Sequence, residues 1–212
     1  MRQRNLRRRV AAALRFRSSH AYWEDRYAAG GTSGPGSYAA QARYKADFLN
    51  RFVRENRIAS VVEFGCGDGN QLALAEYPRY LGLDVAASAV KRCIETFRHD
   101  GSKSFMACDL RFVADRARFL HAELGLSLDV VFHLVEDDVF EAYMHGLFAA
   151  SDRFVVIYAS DREARDLGRH VRWRTFTPWI EKSVTGWELL RLEPAPIAEY
   201  QDFHVFRRVG TE

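Results

Sequence analysis

The segment that most constrains the fold is VVEFGCGDGNQL, at residues 61–72. An apolar, β-branched run leads into Glu63, glycines follow at positions 65, 67 and 69, and a helix-compatible stretch begins after them. A glycine-rich turn of this kind carries a strand into a helix around a nucleotide-like ligand. A dinucleotide fingerprint would place its third glycine at position 70, where this chain has Asn70. Because Glu63 and Asp68 flank the loop, a positively charged ligand is favoured over a pyrophosphate.

Three further segments follow the glycine motif in order. Tyr80–Asp84 has the pattern of a strand that ends in an acid, Phe105–Leu110 contains Asp109, and Leu128–Leu134 has the pattern of a strand ending near His133. Together with residues 61–72, these segments resemble the motifs of the class I S-adenosylmethionine-dependent methyltransferases. The resemblance covers roughly residues 60 to 160 and is more specific than any single glycine pattern.

This resemblance implies S-adenosylmethionine as cofactor, S-adenosylhomocysteine as product, and no metal ion. Asp84 would hold the ribose diol and Asp109 the adenine amino group, although an acid after a strand can also do no more than cap the next helix. The implied cofactor-binding residues are Tyr22, Trp23, Tyr27, Glu63, Gly65, Cys66, Gly67, Asp84, Val85, Asp109, Leu110 and His133.

The pattern of the chain predicts strands that alternate with helices. We expect strands at about 60–64, 79–83, 103–107, 127–132 and 153–159, with helices at about 69–76, 86–98, 111–124 and 137–149. Such alternation implies a parallel sheet with its ligand at the carboxyl ends of the strands. Residues 186–192 and 202–209 resemble the antiparallel hairpin that completes the family's sheet. The expected fold is therefore α/β and Rossmann-like, with a seven-stranded, mostly parallel sheet and helices on both faces.

Residues 18–38 are predicted to form a lid. Tyr22, Trp23 and Tyr27 lie at helical spacing, and a glycine-rich stretch follows at 30–36. In similar small-molecule methyltransferases, a Tyr-Trp-x-x-x-Tyr helix folds back over the cofactor and a Ser-Gly-x-Gly-Ser loop closes on the ligand, which excludes water. The alternative is that the aromatic residues cap the sheet and the glycines form an ordinary linker. An amphipathic helix is expected over residues 39–55.

His133 is the first candidate for a general base, because its predicted position is near the transferred methyl group and its ordinary pKa is near neutrality. Substrate hydrogen bonding is the alternative role. Glu136 or Asp137 could orient His133 or contact the substrate, or could, with Asp138, only add negative charge to the start of the next helix. A divalent ion held by these four residues is a less favoured alternative, because neighbouring acids on a helix point to different faces.

The segment 160–179, after the fifth strand, is rich in cations. In this fold the connection helps to wall the acceptor pocket, so Arg172 and Arg174 are predicted to bind a carboxylate or phosphate of the substrate. Tyr158 is a further predicted substrate contact, and His170 is a second candidate base. The alternative is a solvated helix face on which neighbouring acids balance the arginines.

Composition indicates one domain with a local basic extension. The 212 residues are 48% hydrophobic, which suits a single core, and no apolar run is long enough to cross a bilayer. The first twenty residues contain seven arginines and no acid, so we predict a basic extension over 1–17 and one domain over 18–212. The extension could be merely solvated or could make a weak contact with an anionic surface. Because no apolar run suits a membrane span or a signal peptide, we expect a cytoplasmic protein. Three cysteines without paired spacing predict neither disulfides nor a zinc cluster.

The expected function is transfer of a methyl group, by in-line displacement, to a hydroxyl of a sugar or sugar phosphate. This acceptor rests on a resemblance to bacterial methyltransferases of surface-polysaccharide or secondary-metabolite clusters. One alternative is a nucleic-acid methyltransferase that uses the arginine-rich extension. A nucleic-acid partner is not expected, because residues 132–135 lack an Asn/Asp-Pro-Pro-Tyr cluster. The other alternative is a catalytically silent cofactor-binding or scaffold protein. The sequence leaves the oligomeric state open.

Overall fold

The computed structural model describes residues 16–164, 168–198 and 200–210. Its helices are α1 (Ser19–Ala28), α2 (Ala39–Glu55), α3 (Ala87–Thr96), α4 (Asp137–Ala149) and α5 (Thr177–Ser183). Its strands are β1 (Val61–Phe64), β2 (Tyr80–Asp84), β3 (Lys103–Ala107), β4 (Ala122–Leu128), β5 (Ser151–Ala159), β6 (Trp187–Pro194) and β7 (Asp202–Arg208). None of the described helices is long and apolar enough to span a membrane. Most of the predicted basic extension, residues 1–15, lies outside the described residues.

The seven strands form one sheet in the order β3-β2-β1-β4-β5-β7-β6. Strands β1 to β5 pair in parallel, and β7 runs antiparallel to both β5 and β6. The chain first moves from β1 to the β3 edge and then returns to β4 on the other side of β1. A crevice therefore opens where the strand order reverses, at the carboxyl ends of β1 and β4. The predicted seven-stranded, mostly parallel sheet with a C-terminal antiparallel hairpin is confirmed.

Helices cover both faces of this sheet. On one face, α2 buries Phe48, Leu49 and Phe52, and the Phe48 ring stacks on Phe203 of β7 with ring centroids 3.9 Å apart. On the other face, α4 packs Met144 and its apolar neighbours against β1 and β5. Burial of each such side chain stabilises the fold by roughly 1.5–3 kcal/mol. Because both faces are covered, β1 is buried throughout, and its sequence is not a simple polar and apolar alternation.

Strand β4 lies earlier in the chain than the sequence predicts. The expected strand at 127–132 is wrong: β4 begins at Ala122 and ends at Leu128, and residues 131–133 form a 3-10 turn. The β-branched residues 130 and 131 favoured a strand, but Leu124 and Leu126 are fully buried and pair with the neighbouring strands. Burial of these two leucines therefore determines which residues form β4. His133 therefore lies in a turn beyond β4.

The predicted helix over 111–124 is also wrong. This region contains a 3-10 turn at Leu110–Phe112, an irregular segment and the start of β4. The Asp115 carboxylate accepts the backbone N–H groups of residues 119 and 120. Because such side-chain bonds offer the backbone an alternative to helical pairing, the segment turns instead of forming a helix.

Two smaller differences concern short helices. The helix predicted at 69–76 is reduced to a 3-10 turn at Leu72–Leu74. Asp68 accepts the N–H of Asn70, and the Asn70 side chain donates to the carbonyl of Ser37. These two hydrogen bonds hold residues 68–70 in a loop, so no α-helix begins there. Helix α5 was not predicted, because its seven residues are too few to show a helical period.

Candidate cofactor and acceptor site

The glycine loop after β1 forms one wall of a cavity at the carboxyl ends of the strands. Gly65 and Gly67 have φ angles of +85° and +57°, which L side chains rarely adopt. A Cβ on Gly65 would lie 2.5 Å from Val130, and a Cβ on Gly67 would lie 2.3 Å from Ser33 Oγ. Both positions therefore require glycine, for conformation and for space.

Two buried acids, Asp84 and Glu63, line the same cavity. The Asp84 carboxylate accepts the N–H groups of Gly67 and Ala86 at 2.9 and 2.8 Å. Burial raises the pKa of Asp84 to about 6, although these hydrogen bonds oppose the shift. Glu63 accepts the Tyr80 hydroxyl at 2.6 Å, and burial raises its pKa to about 7. Both carboxyls are thus desolvated groups whose ionised forms would gain from a diol or a cation.

Asp68 fastens the segment between α1 and α2 to the glycine loop. Its carboxylate accepts the Ser33 N–H at 2.9 Å and the Tyr38 hydroxyl at 2.8 Å, and its own N–H donates to Ser33 Oγ at 3.0 Å. Ser33 Oγ is also hydrogen-bonded to the Tyr27 hydroxyl. Burial alone would raise the pKa of Asp68, but these hydrogen bonds outweigh it and lower the pKa. The predicted lid segment therefore contacts the glycine loop, and its closure on a ligand stays a prediction.

Helix α1 packs against the turn that carries His133. The Trp23 ring meets the His133 ring edge to face with centroids 4.8 Å apart, and Tyr27 stacks on Trp23. At the start of α1, the N–H and Oγ of Ser19 donate to Glu136 at 2.8 and 2.6 Å. Glu136 therefore anchors α1 and does not orient His133.

The His133 ring is held by a backbone carbonyl. His133 Nδ1 lies 3.0 Å from the carbonyl oxygen of His170. Because a carbonyl can only accept, Nδ1 carries the proton and Nε2 is the acceptor nitrogen. Burial lowers the pKa of His133 to about 4, so its ring is neutral at neutral pH. The His170 ring itself stacks on Tyr22 with centroids 4.4 Å apart and does not line the cavity.

Arg172 and Arg174 bind protein groups beside the cavity. Asp137 Oδ1 accepts from the two guanidinium groups at 3.0 and 2.5 Å, which holds the pKa of Asp137 below its ordinary value. Both arginines also donate to the carbonyl oxygen of Val135. This network ties the connection after β5 to the start of α4. A role of these three side chains in substrate binding stays a prediction.

The acids near His133 have separate partners. Asp138 pairs with Arg111 at 3.2 Å, and Arg111 also binds Asp109 at 2.7 Å. The hydrogen bond from Arg111 lowers the pKa of Asp109. In the part of the chain that the structure describes, no group of three or more His, Cys, Asp or Glu residues is arranged to hold a metal ion.

The cavity brings together most of the predicted cofactor residues. Its lining includes Trp23, Tyr27, Glu63, Gly65, Cys66, Gly67, Asp84, Val85, Asp109, Leu110 and His133. The predicted residues outside the lining are Tyr22, Glu136, Asp137, Tyr158, His170, Arg172 and Arg174. Lining residues that the sequence did not indicate include Ser19, His20, Gln71, Cys108 and Asp129, whereas Ser33 and Ser37 belong to the predicted lid loop. The sequence does contain a signal for Asp129, because this acid directly follows β4 when the strand is placed at Ala122–Leu128.

Solved structures with this fold include methyltransferases. The N-methyltransferase NodS from Bradyrhizobium japonicum WM9, in complex with S-adenosyl-L-homocysteine, matches with a TM-score of 0.69 and 15% identity, covering 90% of this chain and 98% of that one. The methyltransferase domain of bacterial CtHen1 matches with a TM-score of 0.64 and 18% identity, covering 79% of this chain and 98% of that one. The resemblance to class I S-adenosylmethionine-dependent methyltransferases is therefore confirmed for the fold.

No protein-family model matches the chain. A curated relative, the small RNA 2'-O-methyltransferase of Arabidopsis thaliana, is 24% identical over 132 residues, which are 52% of this chain and 14% of the relative. The chain thus spans a small part of that relative's length. Strand order, glycine loop and structural neighbours together define a protein with the class I methyltransferase fold.

Proposed function

We propose that this protein is an S-adenosylmethionine-dependent methyltransferase that acts on a hydroxyl of a sugar or sugar phosphate. The main support is that Gly65, Gly67, Asp84 and His133 all line one cavity at the carboxyl ends of the strands. Ligands of α/β proteins bind at this position, where the strand order reverses. The description of NodS as a complex with S-adenosyl-L-homocysteine supports the choice of cofactor. The sugar acceptor rests on the sequence resemblance.

The lining residues fit this cofactor. Because Gly65 and Gly67 lack a Cβ, Val130 and Ser33 can pack directly against the loop, which shapes the cavity wall on which the cofactor would lie. Each Asp84 oxygen already accepts one N–H group and keeps a second lone pair, with which it would bind the ribose hydroxyls. Asp109 and Leu110 would border the adenine ring. The buried Glu63 lies on the lining where a cationic ligand group would favour its ionised form.

Methyl transfer from this cofactor is an in-line displacement on a carbon that the sulfonium already activates. The contribution of the protein is to position the acceptor and to exclude water. Trp23 and Tyr27 of α1 line the cavity, and there they would shield the reacting atoms. His133 Nε2 would accept a hydrogen bond from the acceptor hydroxyl. Because a pKa near 4 makes a weak base at neutral pH, we infer that His133 orients the hydroxyl first. The hydroxyl proton would pass to Nε2 only as the new C–O bond replaces the C–S bond, when the acceptor oxygen has become strongly acidic.

Titration calorimetry with S-adenosylmethionine and S-adenosylhomocysteine, with and without magnesium, tests the cofactor. We expect micromolar binding that magnesium does not change, and a large loss in Gly67→Arg. Gly30→Arg is the matched control, because a Cβ on Gly30 meets nothing within 4 Å. Absence of binding by the wild-type protein would overturn the proposal. Release of S-adenosylhomocysteine with nucleotide sugars and sugar phosphates then tests the acceptor and would also exclude a silent scaffold.

A second candidate acceptor is RNA. The curated relative is a small RNA 2'-O-methyltransferase, and the Phe112 ring, beside the lining residue Arg111, is 83% exposed. Arg111, which lines the cavity, lies over the Phe112 ring. Exposed aromatic rings beside arginine are a platform for unpaired bases. Methylation of a short single-stranded RNA, but not of the same oligonucleotide with a 2'-deoxy terminus, would replace the sugar proposal.

A further inference from the structure

A buried ion pair lies directly behind the cavity. Lys45 of α2 has a fully buried side chain, and its Nζ lies 2.5 Å from Oδ2 of Asp129. Asp129 follows β4, lines the cavity and retains 14% exposure of its side chain. Removing a lysine from water is expensive unless its charge is compensated. The pair therefore presents a carboxylate to the cavity, with a fixed counter-charge on its protein side.

The remaining contacts of Asp129 hold this carboxylate in one orientation. Gln201 Nε2 donates to Oδ1 at 2.9 Å, and the Asp129 N–H donates to the carbonyl oxygen of Tyr158. Asp129 also has a φ of +60°, in the left-handed region that non-glycine residues rarely adopt. Aspartate is one of the few residues that tolerate this region, so the turn after β4 holds the Asp129 backbone in a defined conformation. The backbone and both oxygens are thus fixed independently of any ligand.

Two neighbours enclose the ion pair. The Tyr158 ring lies 5.3 Å from Lys45 Nζ, and Tyr158 itself does not line the cavity. On the cavity side, a Cβ on Gly36 would lie 2.7 Å from Asp129 Oδ2, so the segment between α1 and α2 lies directly against the carboxylate.

We propose that Asp129, neutralised by Lys45, recognises the methyl acceptor through a second hydroxyl beside the one that His133 orients, and that it selects a neutral hydroxyl at that position. This inference rests on the proposed function and deepens it. Each Asp129 oxygen accepts one hydrogen bond from the protein, so each keeps a lone pair for an acceptor O–H. A cationic amine would gain little from a pair of zero net charge and would meet the Lys45 ammonium. An anionic group would meet the carboxylate.

The test uses two probes that differ at one carbon, glucose 6-phosphate and glucosamine 6-phosphate, with protein saturated with S-adenosylhomocysteine. Their dissociation constants are measured by calorimetry. We expect the wild-type protein to bind the hydroxyl probe about tenfold more tightly than the ammonium probe. Asp129→Asn should raise the dissociation constant of the hydroxyl probe about tenfold or more, because the variant loses a charge-assisted hydrogen bond. Lys45→Met should reverse the preference, because it leaves the carboxylate uncompensated.

Matched controls are Asp47→Asn and Lys91→Met, which make the same changes at exposed positions. Both should bind the probes as the wild type does. If Lys45→Met does not fold, Asp129→Asn and the neutral double variant Lys45→Met/Asp129→Asn still decide the question. The inference is overturned if S-adenosylhomocysteine binds normally but neither probe binds, if the wild type prefers the ammonium probe, or if Asp129→Asn binds like the wild type. Failure of S-adenosylhomocysteine binding would instead overturn the proposed function itself.

Discussion

Replacing Gly67 by alanine tests whether the segment around Ser33 lies on the glycine loop in solution. The new Cβ would lie 2.3 Å from Ser33 Oγ and 3.0 Å from the Tyr27 hydroxyl. Ser33 must therefore move, which disrupts its bonds with Tyr27 and with the N–H of Asp68. Two such hydrogen bonds contribute roughly 1–3 kcal/mol together. The φ of +57° adds about 1–2 kcal/mol for any L side chain.

We therefore expect Gly67→Ala to lower the free energy of unfolding by about 3 kcal/mol in total, which is roughly 6–12 °C in Tm. Gly30→Ala is the matched control, because its φ is +80° but its Cβ would meet nothing within 4 Å. That control should lose only the backbone part, about 1–2 kcal/mol. Urea denaturation of both variants gives the difference.

A double variant isolates the contact. In Gly67→Ala/Ser33→Ala the closest clashing atom is gone, so the combined loss should be smaller than the sum of the two single losses. The affinity for S-adenosylhomocysteine should fall in Gly67→Ala and remain close to wild type in Gly30→Ala. Equal stabilities for the two glycine variants, or an additive double variant, would refute the reasoning and show that the segment does not rest on the loop.

Three further outcomes are expected. Burial raises the pKa of Asp84 to about 6, and ribose binding needs the carboxylate, so its protonation should weaken S-adenosylhomocysteine binding about tenfold between pH 7 and pH 5. In calorimetry, Asp84→Asn should lose this tenfold part and keep the part that comes from protonation of Glu63. The His133 pKa of about 4 lies below its ordinary value, so as the pH falls the unfolded chain binds that proton before the folded one does. The free energy of unfolding of the wild type should therefore fall as pH drops from about 6.5 to 4. Denaturation of His133→Phe should lack this part of the pH dependence. Glu136→Gln should weaken the anchor at Ser19 by about 1.5 kcal/mol and increase hydrogen exchange in α1, whereas unchanged exchange would contradict the assignment.

The parts of the fold that the sequence predicts correctly are those set by local patterns. The glycine loop, the strand ending at Asp84 and the C-terminal hairpin each carry their own turn and burial signals. The misplaced strand β4 shows what local patterns cannot predict. Val130 and Val131 have high strand propensity, but the leucines before them fit between two buried strands, and no window of the sequence shows those partners.

The candidate site likewise has one part that a local motif predicts and another part that it does not. Asp84 and the glycines follow from their motif, whereas the contacts that complete the site join distant residues. Lys45 and Asp129 are 84 positions apart, and Ser33 and Asp68 are 35 apart. A lysine in an amphipathic helix normally predicts a solvated position, so its complete burial could be recognised only once the sheet placed a carboxylate beside it.

The position of Asp68 links the two halves of the candidate site. The same residue belongs to the loop that would cradle the cofactor and holds the segment that lies on Asp129. An acceptor that steadies this segment would therefore tighten cofactor binding by the same factor by which the cofactor tightens acceptor binding, because coupling between two binding equilibria is reciprocal.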